Sequence, residues 1–240
     1  MECVKYKMEI PTPKKYLCSL GNGPFVNAAK RIRRTAKELG YFEDIFVYEE
    51  IPDSWEPSVN RNTRGAGYWF WKSCLILESF LRMRDNDILV YVDSGCLLNK
   101  SDRWDRYFDL IKDKDLLTFE LTHREALFTK GDMFDYFGYS VDSYLAHSFQ
   151  IPATCFFLRK TLNSISLIND WKNILINHTN LVNNDPSIIP NSPLYIDHRN
   201  DQSALSILIK VNQNLKVKIL EDETWPQLPN QAIFAARSRN

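Results

Sequence analysis

The chain has 240 residues, 44% of them hydrophobic and 25% charged, with thirty basic side chains against thirty acidic ones. That composition excludes a disordered polypeptide, and the cancelling charge gives no global attraction to nucleic acid or to an anionic membrane. No apolar run approaches the roughly 18 residues that a membrane-spanning helix needs, so a single domain over residues 1–240 with a sizeable core is expected.

Taken in order, "KKYLCSL" at 14–20 reads as a short apolar strand, and Gly21-Asn22-Gly23 as a turn. A helix from about Pro24 to Leu39 follows, stopped by Gly40 where a left-handed backbone is cheapest. Its cluster "KRIRR" at 30–34 is expected to be a solvated face. "DIFVYEE" at 44–50 is the next strand. After a polar loop rich in Pro, Gly and Asn comes a helix with apolar spacing at Trp71, Cys74, Leu77 and Leu81. "ILVYV", Ile88 to Val92, is a strand buried on both faces, and Asp93 stands where it leaves the core.

Ser101 is expected to cap a helix carrying Trp104, Phe108 and Ile111. Strands are expected at 115–121, 153–160 and 215–220, with a helical turn at "GDMFDYFG" between the first two. Thr161 caps a helix with Ile165, Ile168, Trp171 and Leu175 on one face, and Asp201 is expected to cap another. The tail from Glu221 is expected to pack over the sheet edge. Strands alternating with helices define an α/β fold with a largely parallel sheet. Five cysteines, Cys3, Cys18, Cys74, Cys96 and Cys155, show no CxxC pairing. They read as free thiols in a reducing, cytoplasm-like compartment.

The usual nucleotide motifs are missing: neither GxGxxG nor GxxxxGK[ST] occurs, and there is no Gly-x-Ser-x-Gly elbow. Three segments remain that could carry chemistry. "RGAGYWFWKS", Arg64 to Ser73, combines two glycines, four aromatics and two cations at a helix entrance, which suits an anion beside a stacking face. It reads equally well as a hydrophobic staple with snorkelling cations. Asp93, at the carboxyl end of a buried strand, is placed as a ligand-binding acid or as a plain turn residue. "YIDHRNDQSALS", Tyr195 to Ser206, gathers Asp197, His198, Asp201 and Gln202 ahead of a helix.

Together "GYWFWKSCLILESFLRMRDNDILVYVDSG", "FTKGDMFDYFG", "ATCFFLRK" and "RNDQSALS" resemble small GT-A-type nucleotide-sugar glycosyltransferases over roughly residues 14 to 220. The resemblance is to those of large DNA viruses, chlorovirus-like, and of bacterial surface-polysaccharide clusters. The resemblance implies a single GT-A-like, Rossmann-like α/β domain with helices flanking the sheet. It implies transfer from a nucleoside diphosphate sugar, a UDP-sugar first among them, to a hydroxyl of a glycan or glycoprotein acceptor. Mn²⁺ or Mg²⁺ would sit at Asp93, and Ser19, Leu20, Arg64, Trp71, Lys72 and His198 would serve the donor. Asp201, Gln202 and Asp197 would be catalytic, as base if the configuration inverts and as stabilisers of the reacting sugar if it is retained, with retention favoured. The chain departs from the family in one respect: its Asp-x-Asp motif appears as Asp93-Ser94-Gly95, without the second carboxylate. An aspartate-nucleophile phosphatase or phosphotransferase and a catalytically silent sugar-binding module are the competing readings. A viral origin would place the protein in the host cytoplasm.

Overall fold

The computed structural model describes residues 12–56 and 58–240, so Cys3 lies outside the described residues. The strands are β1 Lys15–Leu20, β2 Asp44–Tyr48, β3 Ile88–Val92, β4 Leu97–Leu98, β5 Leu116–Glu120, β6 Cys155–Arg159, β7 Val217–Glu221 and β8 Ile233–Phe234. Six of them form one sheet in the order β2-β1-β3-β6-β5-β7. β3 and β2 flank β1 in parallel, β6 runs antiparallel between β3 and β5, and β7 lies parallel beside β5. The sheet is therefore mostly parallel, as expected, with β6 reversed.

The longer helices are α1 Val26–Leu39, α2 Trp71–Leu81, α3 Arg103–Leu110, α4 Leu162–Asn177 and α5 Asp201–Val211. They cover both faces because the central strands alternate apolar side chains to both. On β3, Leu89 and Tyr91 pack with α2, α4 and α5, while Ile88, Val90 and Val92 pack with α1 and α3. Alternation carries one residue further: Asp93 leaves on the Tyr91 side, toward α2 and α5.

Local signals act as read. Gly40 ends α1 at φ 73, and Thr161 with Ser164 forms a capping box at the start of α4. Three expectations are corrected. On α2 the buried face is Trp71, Cys74, Leu75, Ile76 and Phe80, whereas Leu81 is 86% exposed, because the helix lies against both the sheet and α4. The "KRIRR" face is only partly solvated: Arg31 Nη2 donates to Ser94 O (2.9 Å) and Cys96 O (3.0 Å), the turn that follows β3. The tail does not stay at the sheet edge. β8 pairs antiparallel with β4, and the chain then reaches Gly95, whose carbonyl accepts from Ser238 N at 2.9 Å.

Candidate active site

The three segments singled out above meet at one point. Asp93 leaves β3, Lys72 projects from the first turn of α2, and Asp201 opens α5. Lys72 Nζ lies 3.1 Å from Asp93 Oδ1, 3.0 Å from Asp201 Oδ2 and 3.0 Å from Ala153 O, so its three protons face three oxygens. Tyr91 Oη donates to Asp93 Oδ1 at 2.6 Å. The Lys72 and Asp201 side chains are almost entirely enclosed, and Asp93 retains 33% of its surface.

Asp201 is the first helical residue of α5, not its cap. Asn200 holds the cap position at φ 47 and points its amide to Val182 O (2.6 Å) and Asn184 Oδ1 (2.8 Å). The start of the helix is fixed from beneath, since Trp171 Nε1 on α4 donates to Asp201 O at 3.0 Å. Freed from capping, the Asp201 carboxylate turns to Lys72. Its Oδ2 is buried without a well-aligned hydrogen bond, so the contact is an ion pair with acceptor capacity to spare.

The electrostatics follow from burial. Desolvation, with the like charge of Asp93, pushes the Asp201 carboxyl up to about 6 against the pull of Lys72. For Lys72, burial works to lower the pKa, but the Asp201 and Asp93 carboxylates outweigh it and hold the ammonium charged.

Gln202 stands beside this trio. Its Oε1 accepts from Ala153 N (3.3 Å), and its Nε2 donates to Gln150 Oε1 (2.7 Å). Gln150 in turn donates to the fully buried Glu125 (3.1 Å), which Lys210 on α5 also meets at 2.6 Å. The amide orientation of Gln202 is thus set by a chain of buried polar contacts. Tyr91, Ala153, Gln150 and Glu125 were not among the expected site residues. The contacts that bring in the last three join segments far apart in sequence or use a backbone atom, whereas Tyr91 lies only two residues before Asp93 on the same side of β3.

A left-handed turn leads into α2. Gly65, Ala66, Gly67, Tyr68 and Trp69 have φ values of 64, 54, 99, 52 and 62. Tyr68 N and Trp69 N bond to Arg64 O and Gly65 O, and Trp71 Nε1 donates to Gly65 O at 3.1 Å. A Cβ on Gly65 would lie 2.3 Å from the Trp69 ring. Glycine is therefore required there by both backbone and space.

The remaining expected residues divide by what their polar atoms touch. Trp71 is buried with its indole N–H on Gly65, and Lys72 has no proton left for a phosphate. His198, 1% exposed, accepts from Lys130 N at Nδ1 (3.3 Å) and reaches Leu181 O through Nε2 (2.9 Å). Burial, then the Lys130 charge, lowers its pKa to about 4, so it is a neutral core histidine that ties two loops and not a donor ligand. Ser19 and Leu20 are also enclosed, one facing the α1 layer and the other the α2 layer. Beyond that strand end Gly21 is also buried, where a Cβ would meet Ser94 Oγ at 2.7 Å, and the chain first regains partial exposure at Asn22. Arg64 and Asp197 are exposed at the rim.

The divalent ion implied by the resemblance does not fit this donor set. Asp93 Oδ1 already faces a hydroxyl and an ammonium. Gly95 stands where the second acid would be, and a Cβ there would lie 3.1 Å from Arg237 Cα. Among the described residues no group of three or more His, Cys, Asp or Glu is arranged to hold a metal.

No family model matches the chain, and no curated protein matches it. Among solved structures, a glycosyltransferase involved in the glycosylation of the major capsid of PBCV-1 is similar over 89% of this chain and 84% of its own, with a TM-score of 0.50 and 12% identity. Mouse xyloside xylosyltransferase 1 is similar over 92% and 97%, at a TM-score of 0.49 and 11% identity. Galactosyltransferase LgtC is similar over 87% and 74%, at 0.46 and 12%. The architecture is that of the GT-A glycosyltransferases. Among the described residues no helix is long and apolar enough to cross a membrane.

Proposed function

We propose that the protein is a single-domain glycosyltransferase that moves a sugar from a nucleoside diphosphate sugar, a UDP-sugar, to a hydroxyl of a glycan or glycoprotein, with retention of configuration. The observation that carries this reading is the Asp93–Lys72–Asp201 trio at the carboxyl ends of β1 and β3, a region where α/β sheets bind ligands. A buried ion-paired trio of this kind is costly to build for stability alone, and perturbed acids gather at sites of chemistry.

Glycosyl transfer leaves positive charge on the anomeric carbon and negative charge on the departing diphosphate. Asp201 and Gln202 are assigned to the sugar: a buried carboxylate and an oriented amide suit the developing positive charge. Lys72 is a positioning residue that holds both acids in place. Retention is favoured on the resemblance to the family, with Gln202 or its neighbours stabilising the reacting sugar from the opposite face. The free, buried thiols of Cys18, Cys74, Cys96 and Cys155 support a reducing compartment such as cytoplasm.

The test is a panel of nucleotide sugars with simple glycan acceptors, read by nucleoside diphosphate release and by NMR of the anomeric proton. UDP release with retained configuration is expected, and Asp201→Asn should lower kcat by about 10²-fold while UDP affinity holds. Release of phosphate from a simple phosphoester would point instead to phosphatase chemistry. UDP-sugar binding without turnover on any acceptor would indicate a silent module.

A further inference from the structure

The departing diphosphate needs positive charge, and the expected metal site lacks its second acid. Lys72 is taken up by protein oxygens. The cations that remain near the site come from three segments far apart in sequence.

We propose that the diphosphate of the donor is held by Arg64, Arg199 and Arg237, without a divalent cation. This rests on the nucleotide-sugar reading above and names the charge partner of that site.

Arg237 is delivered by the tail. Its backbone packs on Gly95, Ser238 N donates to Gly95 O (2.9 Å), and Arg31 Nη1 donates to Ser238 Oγ (3.2 Å) while Nη2 holds the Ser94 and Cys96 carbonyls. The space beside Gly95, where an Asp-x-Asp motif would carry its second carboxylate, is therefore filled by the backbone of Arg237. Arg199 stands two residues before Asp201, anchored by its N–H to Phe128 O (3.0 Å) and lying 4.2 Å over the Phe128 ring. Arg64 opens the left-handed turn eight residues before Lys72 and lies 5.6 Å over the Trp69 ring.

None of the three has a carboxylate within 4.0 Å among the described residues, whereas Arg33, Arg61, Arg84 and Arg103 each have one. Burial first, then the charges of Arg237 and Arg64, lowers the pKa of Arg199, with Asp197 opposing. Asp197 offsets these like charges only in part, and an anion would relieve the remainder. The guanidinium fork also matches phosphate oxygens in pairs and stacks on aromatic faces, as Arg64 and Arg199 do here.

The test is calorimetric titration of the whole chain with UDP and with inorganic pyrophosphate, in EDTA and in Mn²⁺. Wild type should bind both in EDTA, with Mn²⁺ changing affinity by less than about threefold. Arg237→Ala and Arg199→Ala should each weaken binding in EDTA by about tenfold, the loss of one charge-assisted contact, with Lys at either position recovering part of it. Arg237 is exposed, so its variant should melt like wild type and keeps the test valid if Arg199→Ala loses stability. UDP binding that appears only with Mn²⁺, or that is indifferent to both arginines, overturns the arginine assignment and leaves the nucleotide-sugar reading standing. No binding of UDP or pyrophosphate under either condition overturns both.

Discussion

Lys72 shows what one residue does when it is buried between two acids. Its ammonium serves Asp93, Asp201 and the Ala153 carbonyl at once, and only Asp93 has appreciable access to water. Replacing it by Met would leave two carboxylates facing each other in a poorly hydrated space. Removing one partner of such a pair costs about 3–5 kcal/mol, far more than a surface ion pair contributes. Lys72→Met should therefore lower the urea midpoint at pH 7 by that equivalent. Lys72→Arg should recover little, because a planar fork cannot take the place of a point charge among three converging oxygens. A Lys72→Met protein as stable as wild type would show that the trio does not hold the sheet end together. The lysine was visible in the sequence as one of two cations beside aromatics, but its partners were not. Asp93 and Asp201 lie 21 and 129 positions away, and no local pattern links them to it.

At the scale of elements, the left-handed turn before α2 is a costly piece of local structure. Ala66, Tyr68 and Trp69 are held at positive φ, where an L-residue loses about 1–2 kcal/mol relative to the right-handed region. Ala66→Gly should raise stability by about 0.5–1 kcal/mol, the relief of strain less the added freedom of the unfolded chain. Gly65→Ala should do the opposite and more, since its Cβ would enter the Trp69 ring. Paired thermal melts of the two variants read both signs, and a neutral Ala66→Gly would mean that the turn carries no strain. The helices and strands around it were legible because their signals are local. A continuous apolar run buried on both faces marks β3, Gly40 stops α1, and Thr161 caps α4. The left-handed turn was legible only as two glycines. Its sense is fixed by Trp69 and Trp71 folding back on Gly65, contacts that sequence spacing does not specify. The reversed direction of β6 and the return of the tail to Gly95 were hidden for the same reason, since pairing between distant segments decides them. Of the expected site, Asp93, Asp201 and Gln202 came together. His198 and Trp71 went into the core, where their aromatic bulk outweighed the polar atoms that had drawn notice.

Across the whole molecule, two buried groups with opposite pH behaviour sit on either side of the start of α5. Asp201, raised from 3.8 to about 6, binds its proton more tightly folded than unfolded. It contributes stability that is fully present below about pH 4 and is lost as pH rises through 6. His198, lowered from 6.5 to about 4, refuses a proton that the unfolded chain accepts. Its contribution is present above pH 6.5 and is lost as pH falls through 4. Each shift of a little over two units corresponds to about 3 kcal/mol, so the two slopes nearly offset each other between pH 4 and 6.5. Each single variant should expose the other group. Relative to wild type, Asp201→Asn should lose about 3 kcal/mol of additional stability on going from pH 6.5 to 4, as His198 acts alone. His198→Gln should gain by a similar amount over the same interval, whatever its stability at neutral pH. Urea unfolding of the three proteins at pH 4, 5 and 6.5 measures this, and the difference from wild type cancels the surface carboxylates they share. If the Asp201→Asn curve runs parallel to wild type, folding leaves the carboxyl's pKa unchanged, and burial does not outweigh the pull of Lys72.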